Sequence, residues 1–541
     1  MLTCQFVAKF LSTRGVDRIF GTPGSDTIDL INALHQEGVE YTLTHHENTA
    51  CFMAASYGEL RGVPGVVLVT KGPGVTNLAS GMCSAHLDRR PIIVISALIH
   101  PDVLAKNPHQ EVPLIEMGAL LSKFSTKLTA DTAAEILPKA YITALAPRPG
   151  SVYIPMSPQE AIKELSIGDA AAEAIIRPEP QQMQLPIPDV TEAAELVAKA
   201  RRPIAIFGVG VVGAGCSAEA VQAVEALNVP TCVTLQAVGQ IPCDHPLYVG
   251  MYGWYGTPVD EMLREADLIL TIGLDGWDII RPFRSDVPVV NLDSTDANDR
   301  TFQPVTVGLA GDLPGMLRGL ADRGRGDRDW GAAEAQACLM KIRDYELAIT
   351  DGYSPDNGIA PQDIFSSLRE LLPRDTILTA DAGAHKSLAA QAWQSYGPRS
   401  HFLSNGLSPM GFALGAAMGA KLAEPKRTVL TVVGDGGFLM YAGEMATWAR
   451  LELPMIQVVM VDNGMTQVRS RQLRRGFDTT ATSFQSINFS SIARSFGVDA
   501  TRADTIDAFR AAVIQGLEAN KPFMIEAIID GGEYGRLPSA S

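Results

Sequence analysis

Short runs of β-branched and apolar residues recur along the chain, and each is followed by a segment whose apolar positions have helical spacing. The runs are Gly65–Thr70, Pro91–Ser96, Pro203–Phe207, Leu268–Ile272, Thr428–Val433 and Ile456–Val461. Strands of a parallel sheet are covered by helices on both faces, so they are apolar throughout instead of alternating. The pattern therefore predicts an α/β chain made of doubly wound parallel sheets.

Two changes in composition divide this pattern. Residues 166–188 are rich in alanine, proline and glutamine, and residues 323–329 form a polar stretch with two glycines before a helical segment near 330–349. A chain of 541 residues is also too long for one core, because domains usually contain about 100–200 residues. We therefore expect three domains, at residues 1–165, 185–325 and 355–541.

Charge and composition exclude several classes of protein. A formal net charge of −16 argues against nucleic-acid or anionic-membrane partners. The four arginines within Arg469–Arg475 are a local exception, with either a solvated helix face or a loop over an anionic ligand as the explanation. The apolar runs are too short to span a bilayer, no secretion signal opens the chain, and the seven cysteines are scattered. A cytoplasmic protein without a disulfide framework is expected.

A glycine-rich turn and a polar pair follow two consecutive predicted strands. Thr428–Val433 runs into Gly434-Asp435-Gly436-Gly437, and Ile456–Val461 ends in Asp462-Asn463. Open α/β sheets bind ligands at the carboxyl ends of their strands, and carboxylate and amide oxygens are ligands that Mg²⁺ prefers. Glycines also let backbone N–H groups approach an anion. The residues alone leave two interpretations open, a simple turn or a magnesium diphosphate site.

The spacing of these two segments resembles the signature of the thiamin-diphosphate-dependent enzymes. The resemblance implies that the side chains of Asp435 and Asn463 and the carbonyl of Met465 bind Mg²⁺, with Gly434, Gly436 and Gly437 beside the diphosphate. The segment 403–412 resembles the family loop that supports the bent cofactor, with Met410 at the supporting position and Ser408 beside it. The segment 381–385 resembles a diphosphate-contacting segment, which implies Ala384 and His385 as further cofactor residues.

Glu47 precedes an apolar segment of small residues, 50–58. A carboxylate at the start of a buried helix either interacts with the helix dipole or, when desolvated, has a raised pKa suited to proton exchange. The adjacent His45 and His46 do not form a metal pair, because neighbouring strand residues point to opposite faces. The motif resembles the activating glutamate of the family, which hydrogen-bonds the aminopyrimidine ring of the cofactor. Since the family completes this site from two subunits, the resemblance implies a homodimer or homotetramer.

Three further residues are candidates for the substrate side of the site. The segment 108–113 resembles an active-site loop of acetolactate synthases, which implies Gln110 and His109; surface-loop residues are the other interpretation. Ser25 occupies a position where benzoylformate-decarboxylase-like enzymes also have serine, although Thr70 replaces their catalytic histidine. The chain departs from the acetolactate synthases at Lys71, Ala384 and Thr466, around the expected substrate position, which leaves the identity of the substrate open.

The middle region contains Gly208, Gly210 and Gly213 in a GxGxxG arrangement, which is a weak dinucleotide signal. The segment 239–250 resembles the middle domain of acetolactate synthases, many of which hold FAD. Residues 272–278 depart from the arginine-containing pattern of the FAD-binding members. The sequence therefore favours a protein with thiamin diphosphate and Mg²⁺ and without FAD.

The resemblance covers nearly the whole chain and implies a decarboxylating carboligase of the acetolactate-synthase type. Such an enzyme removes CO₂ from a small 2-oxo acid such as pyruvate and joins the remainder to a second carbonyl compound. One alternative is a 2-oxo acid decarboxylase that releases an aldehyde. A non-catalytic paralogue is the other alternative, although Glu47, Asp435 and Asn463 are all retained.

Overall fold

The computed structural model describes residues 1–104, 106, 109–177, 185–253, 257–278, 286–296, 304–328 and 330–536. Within these ranges the strands form three six-stranded sheets in which every paired strand is parallel. Helices cover the sheets, so the predicted fold class of three doubly wound α/β domains is confirmed. Pro108 and residues 178–184 of the predicted linker lie outside the described residues.

The first sheet has the strand order β2-β1-β3-β4-β6-β5. Its strands are β1 Arg18–Gly21, β2 Glu40–Leu43, β3 Gly65–Val69, β4 Ile92–Ser96, β5 Phe124–Ser125 and β6 Ser151–Tyr153. Its helices are α1 Thr3–Thr13, α2 Ile28–Gln36, α3 Glu47–Arg61, α4 Pro73–Leu87, α5 Pro101–Leu104, α6 Leu114–Leu121, α7 Ala133–Leu145, α8 Pro158–Ala161 and α9 Asp169–Ile176. Every residue of β3 and β4 is buried, as expected for strands covered on both faces.

The second sheet has the order β12-β11-β10-β7-β8-β9. Its strands are β7 Pro203–Phe207, β8 Thr231–Val233, β9 Tyr248–Met251, β10 Leu268–Ile272, β11 Val289–Asp293 and β12 Val307–Ala310. Its helices are α10 Thr191–Lys199, α11 Val209–Ala214, α12 Ser217–Leu227, α13 Pro258–Glu265, α14 Leu313–Arg323 and α15 Ala332–Thr350. Capping residues define two helix starts, because Thr257 and Asp312 each accept a backbone N–H, with a proline at the first or second helical position.

The third sheet has the order β14-β13-β15-β16-β18-β17. Its strands are β13 Ile377–Ala380, β14 His401–Leu403, β15 Val429–Gly434, β16 Ile456–Val461, β17 Asp499–Ala503 and β18 Phe523–Ile528. Its helices are α16 Pro361–Leu371, α17 Ala384–Ala392, α18 Phe412–Ala423, α19 Asp435–Met440, α20 Met445–Arg450, α21 Thr466–Arg474, α22 Phe489–Ser495 and α23 Ile506–Ala519. The adjacent strands β15 and β16 both end at the edge that carries Asp435 and Asn463.

One hydrophobic core joins the first and third parts of the chain. Helix α3 packs closely on helix α18, because Gly415 and Gly419 bring the two backbones together: a methyl group at Gly419 would overlap Met53. The rings of Phe52 and Phe412 meet edge to face at 5.3 Å. The middle sheet has separate core clusters of its own, formed by residues between 190 and 338. The outer two sheets therefore pack as one body.

The periodicity of residues 439–449 suggests one helix after Gly437, but the structure has two. Helix α19 ends at Met440, a short 3-10 turn follows over 442–444, and α20 begins at Met445. The interruption places the Glu444 carboxylate against the backbone N–H groups of His45 and His46, at 3.1 and 2.7 Å. Among the described helices, none is long and apolar enough to cross a membrane.

Candidate active site

A cavity of about 270 Å³ lies at the carboxyl edge of the third sheet, beside β15 and β16. It is lined by most of the cofactor residues predicted from the sequence, namely Ala384, His385, Ser408, Met410, Gly434, Asp435, Gly436, Gly437 and Met465. Three separate segments, 382–385, 408–410 and 434–437, thus meet in one place, as the sequence-based hypothesis requires. The position is the edge at which open α/β sheets bind ligands.

Asp435 and Asn463 lie side by side in this edge. Asp435 Oδ2 accepts the backbone N–H of Asn463 at 2.7 Å, and burial, with Asp462 adding to it, raises the pKa of Asp435 to about 6. The Oδ1 atom of Asn463 is buried and has no hydrogen-bond donor among the described residues. A buried amide oxygen without a donor is costly unless something else satisfies it. A divalent cation is such a partner, and it would also favour the ionised form of Asp435.

The third predicted metal ligand, the carbonyl of Met465, is at the start of α21. This oxygen accepts the N–H groups of Val468 and Arg469 at 2.9 and 3.0 Å. A carbonyl oxygen has two lone pairs, and both N–H groups belong to the first turn of the helix. Its role as a metal ligand remains a prediction.

The glycines of the site leave room that side chains would fill. A methyl group at Gly436 would lie 3.2 Å from both Met410 Cε and Met465 Cε, and one at Gly434 would lie 3.2 Å from His385 Cε1. Burial lowers the pKa of His385 to about 4, so the ring is neutral, and its Nε2 has no partner within the described chain. The residues present thus fit a diphosphate with a bound Mg²⁺: open backbone, an unsatisfied oxygen and an unsatisfied ring nitrogen.

Asp381 has a supporting role that its sequence context did not reveal. Its carboxylate accepts the backbone N–H groups of Gly411, Phe412 and Ala413 at 2.7, 2.8 and 3.3 Å, at the start of α18. Burial nevertheless raises the pKa of Asp381 to about 6. The contact fixes the residue that follows Met410, so Asp381 positions the predicted cofactor-supporting loop.

Lys386 was also missed by sequence reasoning. Its ammonium donates to Ser408 Oγ at 2.7 Å and to the carbonyl of Ser404 at 3.1 Å, and burial lowers its pKa to about 8. Ser408 has a left-handed backbone conformation, with φ of 58°. Lys386 therefore holds an unusual turn in the loop directly before Met410.

A buried carboxylate joins this loop to both other domains. Asp88 Oδ1 accepts the backbone N–H groups of Asn405 and Gly406 at 2.9 and 2.7 Å and the Gln236 side chain at 2.8 Å. Asp88 is 2% exposed, and its Oδ2 accepts from Ser84 Oγ at 3.0 Å. Residues from all three sheets thus meet at a single side chain.

Glu47 begins helix α3 and is 8% exposed. Its carboxylate accepts a hydrogen bond from Asn77 Nδ2 at 3.1 Å, and the preceding His46 accepts the N–H of Asn48 through Nδ1. His46 thus caps the helix. Among the described residues, no group of three or more His, Cys, Asp or Glu side chains is arranged to hold a metal ion. Glu444 accepts the backbone N–H groups of His45 and His46, which precede Glu47 in the chain. Together with Asn77, this contact fixes the position of the Glu47 carboxylate.

Glu47 does not line the cavity beside Asp435. The described residues that line that cavity all lie between 382 and 534. The structure of one chain therefore brings the predicted diphosphate and metal residues together but does not bring Glu47 to them.

The three substrate-side candidates lie in loops of the first domain, and they differ in how far they are buried. A methyl group at Gly72 would lie 2.9 Å from Gln110 Cβ, so Gln110 packs on the turn that begins α4; it is part-buried and has φ of 62°. His109 is exposed. Ser25 is exposed as well, and its neighbour Asp26, not Ser25, receives the hydrogen bond from Thr70.

The basic stretch Arg469–Arg475 is helical, which is the first of its two interpretations. These residues lie on α21 or at its end, and Arg469 donates a hydrogen bond to the carbonyl of Thr482.

The middle-domain segment 272–278 contacts the first domain. Its Asp275 forms a buried ion pair with Arg89, at 2.7 and 3.2 Å. The carboxylate of Asp275, near the GxGxxG turn, is thus paired with an arginine of another domain.

Comparisons with known families match each of the three sheets to a described domain. Residues 1–117 match "Thiamine pyrophosphate enzyme, N-terminal TPP binding domain", residues 190–320 match the central domain, and residues 381–527 match the C-terminal TPP binding domain.

Individual relatives match over almost their full lengths. The chain is 30% identical to acetolactate synthase of Bacillus subtilis, with 99% of this chain and 94% of the relative covered. It is 29% identical to acetolactate synthase isozyme 2 large subunit of Escherichia coli, with 97% and 95% covered. It is also 30% identical to "Probable 2-ketoarginine decarboxylase" of Pseudomonas aeruginosa, with 96% and 93% covered.

Proposed function

The chain belongs to the thiamine pyrophosphate enzymes and is similar to acetolactate synthase large subunits, and from that premise we propose that it is a Mg²⁺-dependent, decarboxylating carboligase of 2-oxo acids. The observation that carries this proposal is the pair of Asp435 and the unsatisfied Asn463 Oδ1, beside Met410 at the edge of the third sheet. Full-length similarity to acetolactate synthases supports a donor such as pyruvate.

In this proposal Gly434, Gly436, Gly437 and the start of α17 would hold the diphosphate, and the side chains of Asp435 and Asn463 would hold Mg²⁺. Met410 supports the cofactor, while Lys386 and Asp381 hold the loop in which it lies. When bound, thiamin diphosphate supplies a nucleophilic carbon that attacks the keto group and accepts the electrons released with CO₂. The overall reaction is redox-neutral, so it requires no flavin.

The task of Glu47 is to hold and move one proton at its carboxylate. Asn77 donates to one oxygen at 3.1 Å, and Glu444 fixes the backbone before it, so little reorganisation is needed when the proton moves. Glu47 is only 8% exposed, so most water is excluded from its carboxylate. These features support the activating role that the resemblance implies.

We infer that a second copy of the chain completes the site. Glu47 lies outside the cavity of its own chain, and several apolar side chains on the segments around that cavity are exposed: Leu407, Leu439, Met440, Val468, Leu473 and Phe477. Contiguous exposed apolar surface on a folded protein marks an interaction site. A homodimer, or a homotetramer built from it, would cover these side chains and bring the partner's glutamate to the cofactor.

Gln110 is the proposed substrate-side polar group, with His109 and Ser25 at the rim of the site. Simple decarboxylation with release of an aldehyde is the second candidate function, because one full-length relative is named as a decarboxylase. The two candidates differ only in what captures the decarboxylated fragment, a second carbonyl compound or a proton. Sequence identity does not distinguish the two candidate functions, because the acetolactate synthase and the decarboxylase are both 30% identical to this chain.

The test is cofactor-dependent CO₂ release from a panel of 2-oxo acids, followed by product analysis with and without added aldehydes and 2-oxo acids as acceptors. Carboligation predicts a new 2-hydroxy ketone or 2-hydroxy-3-oxo acid, whereas decarboxylation alone predicts an aldehyde. Glu47→Gln is expected to abolish hydrogen exchange at the thiazolium carbon and to spare cofactor binding. No CO₂ from any 2-oxo acid, with normal cofactor binding, would refute the proposal.

A further inference from the structure

Three polar side chains form a compact cluster at the carboxyl edge of the first sheet. Thr70 Oγ1 donates to Asp26, 2.9 and 3.0 Å from its two carboxylate oxygens, and Lys71 Nζ lies 2.8 Å from Asp26 Oδ2. Asp26 follows β1, and Thr70 and Lys71 follow β3, which is paired with β1. The cluster therefore lies at the edge where parallel sheets present their functional side chains.

The cluster lies next to the residues proposed for chemistry. Helix α4 begins immediately after Lys71 and Gly72, and its Asn77 holds the carboxylate of Glu47. With a rise of 1.5 Å per residue, Asn77 lies about 6 Å along the helix axis from Pro73, which is two positions after Lys71. On the other side, Gln110 packs directly on Gly72. Lys71 thus directly precedes Gly72, on which Gln110 packs, and leads into the helix whose Asn77 contacts Glu47.

The chemistry of the cluster favours an anion over a cation. Both oxygens of Asp26 already accept hydrogen bonds, and its side chain is only 9% exposed. The ammonium of Lys71 has three N–H donors, but Asp26 is its single acceptor within the described residues, and its side chain is 22% exposed. The cluster therefore keeps N–H donors of Lys71 for a ligand, while the largely buried Asp26 carboxylate is already held by Thr70 and Lys71.

We propose that Lys71 is a specificity-determining residue that binds an anionic group at the far end of the substrate, so that 2-oxo acids with a second carboxylate are preferred over pyruvate as the donor. This inference rests on the proposed function for the position of the reacting keto group. Asp26 and Thr70 orient the ammonium, and the charge-assisted hydrogen bond to the second carboxylate selects such acids over those with an apolar tail.

The first experiment measures binding directly, with unreactive probes and the intact holoenzyme. Glutarate, with two carboxylates, and butyrate, with one, are titrated into wild-type protein and into the variants Lys71→Ser, Lys71→Arg and Lys127→Ser by calorimetry. Loss of one charge-assisted hydrogen bond predicts that Lys71→Ser weakens glutarate binding roughly 10- to 100-fold, with a smaller effect on butyrate. Lys71→Arg retains most of the affinity, and Lys127→Ser, which removes an exposed lysine of the same domain, leaves it unchanged.

The second experiment compares kcat/KM for 2-oxoglutarate and 2-oxobutyrate. The ratio is expected to favour 2-oxoglutarate in the wild type and to fall roughly 10- to 100-fold in Lys71→Ser. Equal glutarate affinity of the wild type and Lys71→Ser would overturn the inference, as would a preference for a 2-oxo acid with a cationic guanidinium tail. Absence of CO₂ release from all 2-oxo acids would refute the proposed function instead, and glutarate binding would still report on Lys71.

Discussion

Asp88 should be necessary for cofactor binding although it lies outside the cofactor cavity. Its Oδ1 accepts two backbone N–H groups of the loop that leads to Ser408 and Met410, and it also holds Gln236 of the middle domain. Replacing Asp88 with alanine leaves these donors without an acceptor and leaves the buried Arg90 without one of its carboxylates. The loop should then lose its defined position.

The size of the effect follows from burial. Removing one partner of a buried charged network costs about 3–5 kcal/mol. Asp88→Asn is the matched control, because its amide oxygen keeps the acceptor position of Oδ1 while the charge opposite Arg90 is lost. Loss of the charge, with the backbone acceptor kept, predicts a smaller cost of about 1.5–3 kcal/mol for that variant.

Two measurements check this prediction: the midpoint of thermal unfolding, and the Kd for thiamin diphosphate in saturating Mg²⁺. Asp88→Ala is expected to lower the midpoint by several degrees and to weaken cofactor binding at least tenfold, with Asp88→Asn between it and the wild type. A normal Kd in Asp88→Ala would refute the reasoning that the carboxylate positions the loop. Equal damage in both variants would show that charge, not the acceptor, is what matters.

Three other predictions concern the site and the middle domain. Asn463→Ala should abolish Mg²⁺-dependent retention of the cofactor by the protein on gel filtration. Asn463→Asp keeps a side-chain oxygen and should therefore retain part of the cofactor. Full retention of the cofactor by the alanine variant would contradict the metal assignment. Gly411→Ala should weaken cofactor binding more than tenfold, because φ is 87° and the methyl group would overlap the Tyr441 ring, whereas Gly443→Ala, with open space around it, should be neutral in the same titration. Burial raises the pKa of Asp278 from 3.8 to about 7. Between these two values the folded protein holds a proton that the unfolded chain has released. The contribution of Asp278 to the free energy of unfolding therefore declines as pH rises from about 4 to about 7. The melting temperature of Asp278→Asn minus that of the wild type should therefore increase between about pH 5 and pH 8, and a constant difference in calorimetry would count against this.

Local sequence was enough to predict six of the strands and the closeness of Asp435 and Asn463, whereas their role as metal ligands rests on the resemblance and stays a prediction. Asp435 and Asn463 each come directly after an apolar strand, so their meeting at one edge follows from parallel pairing of β15 and β16. Met410 and His385 needed the resemblance to a family, because a methionine or a histidine near glycine has no distinctive spacing.

The supporting contacts were beyond such reasoning because they join distant parts of the chain. Asp88 and Asn405 are separated by 317 positions, and His46 and Glu444 by 398. No periodicity connects residues at such separations, and each carboxylate alone resembles an ordinary surface residue. The contact between Asp26 and Thr70, 44 positions apart, is likewise visible only in the packed structure.

The shared core of helices α3 and α18 has a consequence for synthesis of the protein. Helix α3 ends at Arg61 and α18 begins at Phe412, so roughly 350 residues must be made before the apolar face of α3 can be covered. At roughly 5–20 residues per second, that face waits some 20–70 seconds on the ribosome. The newly made first domain is therefore exposed to aggregation for longer than the middle domain, whose core is complete within its own stretch of chain.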